Sequence, residues 1–176
     1  LQPSLIRWPG GSWADVWFLD HIPADVPDSV YDGTKYSNSI AKTPKLKFYG
    51  HHGKEGGWVT TTDQYFTLRQ KTGVSEGLIT VNYAYARYGT SKNPVAQAAH
   101  EAARWVRYDA GRTKFWEIGN ENGGPWEYGW MIDTTLNQDG QPTFASGALY
   151  GKHFKVFADS MKKAAAELRA KADQLC

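Results

Sequence analysis

The sequence predicts an α/β fold in which strands of a parallel sheet alternate with helices. Short apolar runs are separated by amphipathic segments, in the order strand, helix, strand, helix, strand, helix. Such alternation is typical of right-handed βαβ units. In each unit the unusual polar and glycine residues come after the strand, at the edge of the sheet where α/β proteins build their sites. The length of 176 residues and the hydrophobic share of 41% suit one domain with a real core, predicted over residues 1–176.

The first strand is predicted at residues 5–8, where a short apolar run stops at Pro9-Gly10-Gly11. A long loop rich in aromatic residues, glycine and proline follows, from residue 12 to about residue 59. Loops of that length in a compact domain are usually functional or disordered, and the aromatic residues argue against disorder. The segment Thr61-Thr62-Asp63-Gln64 has capping-box spacing, so we expect a helix to begin there and to end at Gly73.

The second strand is predicted at residues 78–83, which are rich in β-branched residues. Asn93-Pro94 supplies a cap and a first-turn proline for a second helix, which ends at Gly111. The third strand is predicted at residues 114–119. A final helix carries an apolar stripe. Its members are Phe154, Phe157, Met161, Ala164 and Leu168.

Composition argues against several classes of function. The net charge of +2 comes without a run of like charge, so a nucleic-acid partner is not expected. No apolar stretch approaches membrane-spanning length, and a membrane partner is not expected either. The single cysteine, Cys176, excludes an internal disulfide and leaves the compartment open. The chain has neither an initiator methionine nor a signal sequence, which suggests a processed chain or an excerpt.

Aromatic residues make up 14% of the chain, and many of them stand beside glycine, asparagine or aspartate. Aromatic side chains in glycine-rich loops suit a site that stacks flat, partly apolar ligands such as sugar rings. The alternative is that they pack loops against the body of the protein. The candidates for sugar stacking are Trp13, Trp17, Trp58 and Trp126.

The pair Asn120-Glu121 stands where the third strand meets a loop containing Gly123-Gly124-Pro125-Trp126. A carboxyl group at the end of a parallel strand is held rigidly and faces the ligand side, as a general acid must. The tryptophans nearby could raise its pKa. The alternative is a carboxylate that caps the following turn. Asn82 and Tyr83 follow the second strand in the same way, and we predict that they contact the substrate.

These segments resemble the clan A glycoside hydrolases, and above all the family 51 α-L-arabinofuranosidases and their relatives. The resemblance is carried by Arg7-Trp8-Pro9-Gly10-Gly11, by Trp116-Glu117-Ile118-Gly119-Asn120-Glu121 and by Gly124-Pro125-Trp126. It implies a retaining (β/α)8 barrel, of which residues 5–11, 78–83 and 114–121 would be strands two, three and four. The fold expected from it is a partial TIM barrel of about three βα units, with a long loop after the first strand.

The resemblance also implies roles for individual residues. Glu121 would be the general acid/base, and Asn120 would bind the hydroxyl next to the anomeric carbon. Arg7 would lie on the barrel floor near the nucleophile. The alternative for Arg7, an ion pair with Glu117, follows from strand alternation, which points both side chains inward. Ser12 stands where the family pattern has asparagine.

Beyond Trp126, Trp13 and Trp58, the long-loop residue His51 is a candidate to line the site. His51 is adjacent to His52, and adjacent histidines have poor spacing for metal ligands. We therefore expect no catalytic metal and no other cofactor.

The family's nucleophile, a glutamate after strand seven, has no matching position in this chain. None of four other glutamates has the sequence context expected of that nucleophile: Glu55, Glu76, Glu101 and Glu127. We therefore expect the chain alone to bind carbohydrate but to turn it over weakly. The alternative is a non-catalytic carbohydrate-binding or scaffold domain. Strands with open edges would also favour a homo-oligomer.

Overall fold

The computed structural model describes residues 3–27, 29–31, 42–44, 48–49, 60–74 and 76–174. Its elements are, in chain order, β1 (Leu5–Trp8), a 3-10 helix (Ser12–Val16), β2 (Trp17–Phe18), β3 (Ser29–Tyr31), β4 (Lys42–Pro44), β5 (Phe48–Tyr49), α1 (Thr62–Thr72), β6 (Glu76–Val81), α2 (Ala84–Tyr88), α3 (Pro94–Asp109), β7 (Phe115–Ile118) and α4 (Gly147–Asp173).

The centre of the fold is a three-stranded parallel sheet in which β6 lies between β1 and β7. Arg7 of β1 pairs with Leu78, and Thr80 of β6 pairs with Glu117 of β7. The three strands are therefore neighbours in the order in which they occur along the chain, with helices in each connection. The chain is a mixed α/β protein with a parallel sheet, as the alternation predicts.

The second predicted strand differs from the observed β6, which begins at Glu76 and ends at Val81. The strand stops early because the Asn82 side chain accepts a hydrogen bond from the backbone N–H of Tyr85, at 2.9 Å. This bond starts α2, a short helix that the sequence pattern did not predict. Asn82 and Tyr83 consequently lie beyond the strand, between β6 and α2.

The predicted capping box at the start of α1 is present. The Thr61 hydroxyl accepts a hydrogen bond from the Gln64 N–H at 3.1 Å, and the Gln64 side chain accepts one from the Thr61 N–H at 2.9 Å. The helix ends at Gly73, as predicted. The helix predicted to begin at Asn93-Pro94 is α3, which ends one residue before Ala110.

The long helices α3 and α4 pack against each other and bury small and aromatic side chains between them. The predicted stripe of α4 is wrong at Phe154, which is 45% exposed and packs beside Tyr150. The buried face is centred instead on His153, together with Phe157, Met161 and Ala164. A buried polar residue displaced the stripe, because His153 meets the Tyr83 hydroxyl at 3.2 Å.

The part of the long loop nearest β1 forms regular structure and core, which the predicted irregular loop did not include. Trp17 and Phe18 of β2 are buried, and β2 pairs in parallel with β5. Trp17 meets Trp8 edge to face with ring centroids 4.9 Å apart. Trp17 is therefore a packing residue rather than a free stacking surface. None of the helices in the described ranges is long and apolar enough to cross a membrane.

A candidate active site at the carboxyl end of the sheet

The turn after β7 places Asn120 and Glu121 at the carboxyl end of the sheet. The Gly119 N–H continues the ladder by donating to the Val81 carbonyl at 3.0 Å, and Asn122 closes the turn by donating to the Ile118 carbonyl at 3.0 Å. Gly119 has a φ of +73°, and a Cβ there would collide with the Asn122 side chain. Only glycine fits at this position.

Glu121 is exposed, and its backbone lies in the left-handed region with a φ of 39°. Ala110, which ends α3, is the other non-glycine residue with a positive φ in the described ranges. A left-handed conformation is common at the end of a helix but rare for a glutamate in a loop. Strain of this kind is concentrated at functional sites, which makes Glu121 a functional candidate on grounds independent of its sequence motif.

Trp126 lies beside Glu121 and contacts it through a polar group. Its indole N–H donates a hydrogen bond to Glu121 Oε2 at 2.7 Å. The ring lies against Gly124, where a Cβ would come within 2.6 Å of it. Trp126 is 45% exposed. An exposed aromatic face therefore stands directly next to the carboxyl group.

Arg7, Thr80 and Glu117 form a polar row across the three strands. Glu117 Oε2 accepts hydrogen bonds from Arg7 Nε and from the Thr80 hydroxyl, each at 2.8 Å. The ion pair between Arg7 and Glu117 that strand alternation suggested is present, and both side chains are partly exposed. Because such pairs contribute at most about 1 kcal/mol, we assign this one to positioning rather than to stability.

Asn120 is held at both ends of its amide. Arg7 Nη2 donates to Asn120 Oδ1 at 2.7 Å, and Asn120 Nδ2 donates to Glu127 Oε1 at 2.8 Å. The residue is buried. A side-chain amide has two N–H groups and two acceptor lone pairs, so one of each remains for a ligand. The orientation of the amide is fixed before any ligand arrives.

Glu127 and Asp15 are a buried pair that the sequence did not reveal. Glu127 Oε1 also accepts a hydrogen bond from the Ser12 hydroxyl at 2.9 Å. Burial raises the pKa of Asp15 well above its ordinary range, and the hydrogen bond with Glu127 and the charge of Glu127 raise it further. The N–H groups of Tyr128 and Asn120 lie close enough to oppose part of this shift.

Arg87 is a second residue that sequence reasoning missed. It is completely buried on α2, and its guanidinium donates to the Gly129 carbonyl at 3.0 Å and to Gln141 Oε1 at 2.6 Å. It also donates to the carbonyls of Pro142 and Thr143. Arg87 therefore fixes the loop that carries Trp126 and Glu127 to the body of the protein.

Not all of the other residues predicted to bind substrate are available to a ligand at Glu121. Asn82 and Tyr83 are buried and use their polar groups inside the protein, with Tyr85 and Tyr88 in the first case and with His153 in the second. Their geometry gives no support to a substrate contact. Trp13 is 44% exposed, as a stacking residue would be. His51 and Trp58 lie outside the described residues.

None of the three other candidate glutamates that the structure describes is exposed beside Glu121, as a nucleophile would be. Glu76 begins β6, at the opposite end of the sheet from Glu121, and pairs with Lys114. Glu101 lies on α3 and pairs with Arg104. Glu127 is buried and occupied by Ser12 and Asn120. Glu55 lies outside the described residues.

In the described ranges, no group of three or more histidine, cysteine, aspartate or glutamate residues could hold a metal ion. Comparison with protein-family models, with curated proteins and with solved structures finds no match.

Proposed function

We propose that this chain carries the acid/base side of a retaining glycoside hydrolase site, with Glu121 as the general acid/base. The observation that carries the proposal is the exposed Glu121 carboxyl at the carboxyl end of β7, beside the exposed ring of Trp126. The family resemblance of the two motifs adds the reaction class. From it we infer O-glycosyl cleavage in plant-type oligosaccharides or polysaccharides, in the manner of an arabinofuranosidase.

The chemistry follows from the position of the carboxyl. In its protonated form Glu121 would donate a proton to the glycosidic oxygen as the bond breaks, and as a carboxylate it would take a proton from the incoming water. Its Oε2 receives the indole N–H of Trp126, and Oε1 makes no hydrogen bond to the described residues. We infer that Oε1 would be the oxygen that protonates the leaving group. Asn120 would orient the neighbouring sugar hydroxyl with its remaining N–H.

The fold that we propose is part of a (β/α)8 barrel. Three parallel strands that are neighbours in chain order, each connection containing helices, are what consecutive strands of a barrel would be. Arg7, Thr80 and Glu117 would then face the barrel interior. A retaining mechanism needs a second carboxyl roughly 5–5.5 Å from the first, and we propose that it comes from outside the described residues.

The second candidate function is non-catalytic carbohydrate binding. The positions of the candidate nucleophiles favour this function, because none of Glu76, Glu101 and Glu127 is exposed beside Glu121. Trp126 and Trp13 would then serve as stacking surfaces without chemistry. Both candidate functions need sugar binding, and only the first needs turnover.

Sugar binding is tested by replacing Trp126 with alanine. A stacked aromatic ring buries apolar area that alanine cannot replace, so the affinity for an oligosaccharide is expected to fall roughly tenfold. Calorimetric titration with arabino- and xylo-oligosaccharides measures it. Phe154→Ala is the matched control, because Phe154 is an aromatic residue with the same 45% exposure on α4. Equal losses in both variants, or no binding by the wild type, would remove the support for either function.

We also propose that the open sheet edges recruit a second copy of the chain. Leu5 on β1 and Phe115 on β7 are 40% and 41% exposed, and in the described ranges no further strand pairs with either edge. Phe115→Lys is expected to shift sedimentation towards the monomer, because a charged residue discourages pairing at an edge. Leu136→Lys, at a 45% exposed loop position, should leave it unchanged. A wild type that is monomeric at all concentrations contradicts the proposal.

A further inference from the structure

The buried carboxyl groups of Asp15 and Glu127 are within hydrogen-bond reach of each other, and Ser12 of the same 3-10 helix as Asp15 also donates to Glu127, at 2.9 Å. Asp15 has no solvent exposure and Glu127 has 2%. Both oxygens of Asp15 and Oε2 of Glu127 receive no hydrogen bond of good geometry from the described residues. Glu127 Oε1, in contrast, accepts from both Ser12 and Asn120. Three of the four carboxyl oxygens of this buried pair therefore lack a well-placed donor among the described residues.

No arginine, lysine or histidine of the described ranges forms an ion pair with either group. Among the described residues, the ionisable groups that face Asp15 are Glu127, from the loop after β7, and Tyr88 of α2, whose hydroxyl donates to the Asp15 carbonyl at 2.9 Å. Two adjacent buried carboxylates without a cation would repel each other and lose their hydration. A single proton between them removes the repulsion, leaves one buried charge in place of two, and supplies a hydrogen bond between the facing oxygens.

We propose that Asp15 and Glu127 share one proton and together act as positioning residues, which fix the Asn120 amide beside the acid/base. Asp15 holds the proton and donates it in a hydrogen bond to Glu127 Oε2. Glu127 stays an acceptor and receives the Asn120 N–H. Arg7 then holds the other end of the amide. The positioning role rests on the proposed function of Glu121, whereas the shared proton does not.

The raised pKa of Asp15 agrees with this assignment, since burial and the charge of Glu127 both favour its neutral form. Between the unfolded pKa of an aspartate, about 3.9, and the folded pKa, the native state holds one more proton than the unfolded state. This contribution to stability is present at low pH and is lost as the pH rises through the folded pKa.

The proton is tested first on the wild-type protein, by carbon NMR of labelled aspartate and glutamate carboxyl groups. At pH 6, about two units above the ordinary aspartate pKa, one carboxyl group is expected to remain protonated, and Asp15→Asn should remove its signal. Asp109→Asn is the matched control, because Asp109 is also buried but accepts the Thr113 N–H at 2.8 Å. A wild type with every carboxyl ionised at pH 6 overturns the proposal.

Denaturant unfolding gives a second measurement. The ratio of the wild-type to the Asp15→Asn unfolding constant is expected to rise about tenfold per pH unit from about pH 4 up to the folded pKa. A ratio that stays constant from pH 4.5 to 6.5 would show that Asp15 carries no bound proton. Should Asp15→Asn fail to fold, Glu127→Gln takes its place. The fall of stability with pH should then end at a lower pH than in the wild type, because the charge of Glu127 no longer adds to the effect of burial on the pKa of Asp15.

The positioning role is tested by sugar affinity under conditions where each variant is fully folded. Glu127→Leu removes the acceptor for Asn120 and is expected to weaken binding at least tenfold. Glu127→Gln restores an acceptor to Asn120 and should recover affinity to within about threefold of the wild type. Equal affinities for Glu127→Leu and the wild type would overturn the positioning role. Absence of wild-type binding would overturn the proposed function instead and leave the NMR result standing.

Discussion

Replacing Glu121 with glutamine is expected to slow cleavage of alkyl glycosides by roughly a hundredfold to ten-thousandfold, the range that a positioned general acid contributes. Glutamine fills the same space but has no proton to give to a poor leaving group. Aryl glycosides with acidic leaving groups need little protonation, so their glycosylation step should slow far less. The measurement compares kcat/KM for the two substrate types at high protein concentration, because we expect the absolute rates to be low.

Glu167→Gln is the control for this comparison, since Glu167 pairs with Arg107 on the exposed surface between α3 and α4. It should leave both rates unchanged. Equal losses on both substrate types for Glu121→Gln would argue against proton donation. Undiminished cleavage of alkyl glycosides would end the assignment of Glu121 as the acid, whereas binding without cleavage by the wild type would leave carbohydrate binding as the better function.

Replacing Arg87 with methionine is expected to lower the free energy of unfolding by about 3–5 kcal/mol. Methionine fills much of the volume but leaves the carbonyls of Gly129 and Pro142 and the Gln141 Oε1 without the Arg87 donor, whereas the Thr143 carbonyl keeps the Ile132 N–H. Arg87→Lys should be intermediate, because one ammonium cannot reach all four acceptors. Denaturant titration measures the loss, and sugar affinity should fall with it, since the same loop carries Trp126.

Arg107→Met serves as the control for Arg87, because Arg107 is exposed and its ion pair with Glu167 is worth at most about 1 kcal/mol. A comparable loss of unfolding free energy in the two variants would mean that the buried contacts of Arg87 stabilise the fold no more than an exposed ion pair does. A loss for Arg87→Met below about 1 kcal/mol would have the same meaning.

Local patterns in the sequence predicted the βα alternation, the cap of α1 and the placement of Asn120 and Glu121 after a strand. Each of these features depends on a few neighbouring residues, which form a helix cap or a strand followed by a turn. The ion pair of Arg7 with Glu117 was also within reach, because alternation along two parallel strands points both side chains to one face.

The remaining features depend on contacts between distant segments. Asp15 lies in a segment for which the sequence pattern predicts an irregular loop. No neighbouring residue in the sequence indicates that its carboxyl group is buried beside that of Glu127. Arg87 and His153 are polar residues with buried polar partners, so apolar periodicity cannot place them. Apolar periodicity therefore predicts a buried Phe154, whereas the buried residue is its polar neighbour His153.

With the acid/base role that we propose for Glu121, its left-handed backbone makes stability and chemistry favour different residues at one position. Glycine would adopt that conformation without a steric penalty, and asparagine would tolerate it better than glutamate does. Neither can donate a carboxyl proton. A lineage selected for stability alone would therefore drift towards glycine at this position. A lineage that needs the acid must keep glutamate and offset its cost in stability elsewhere in the fold.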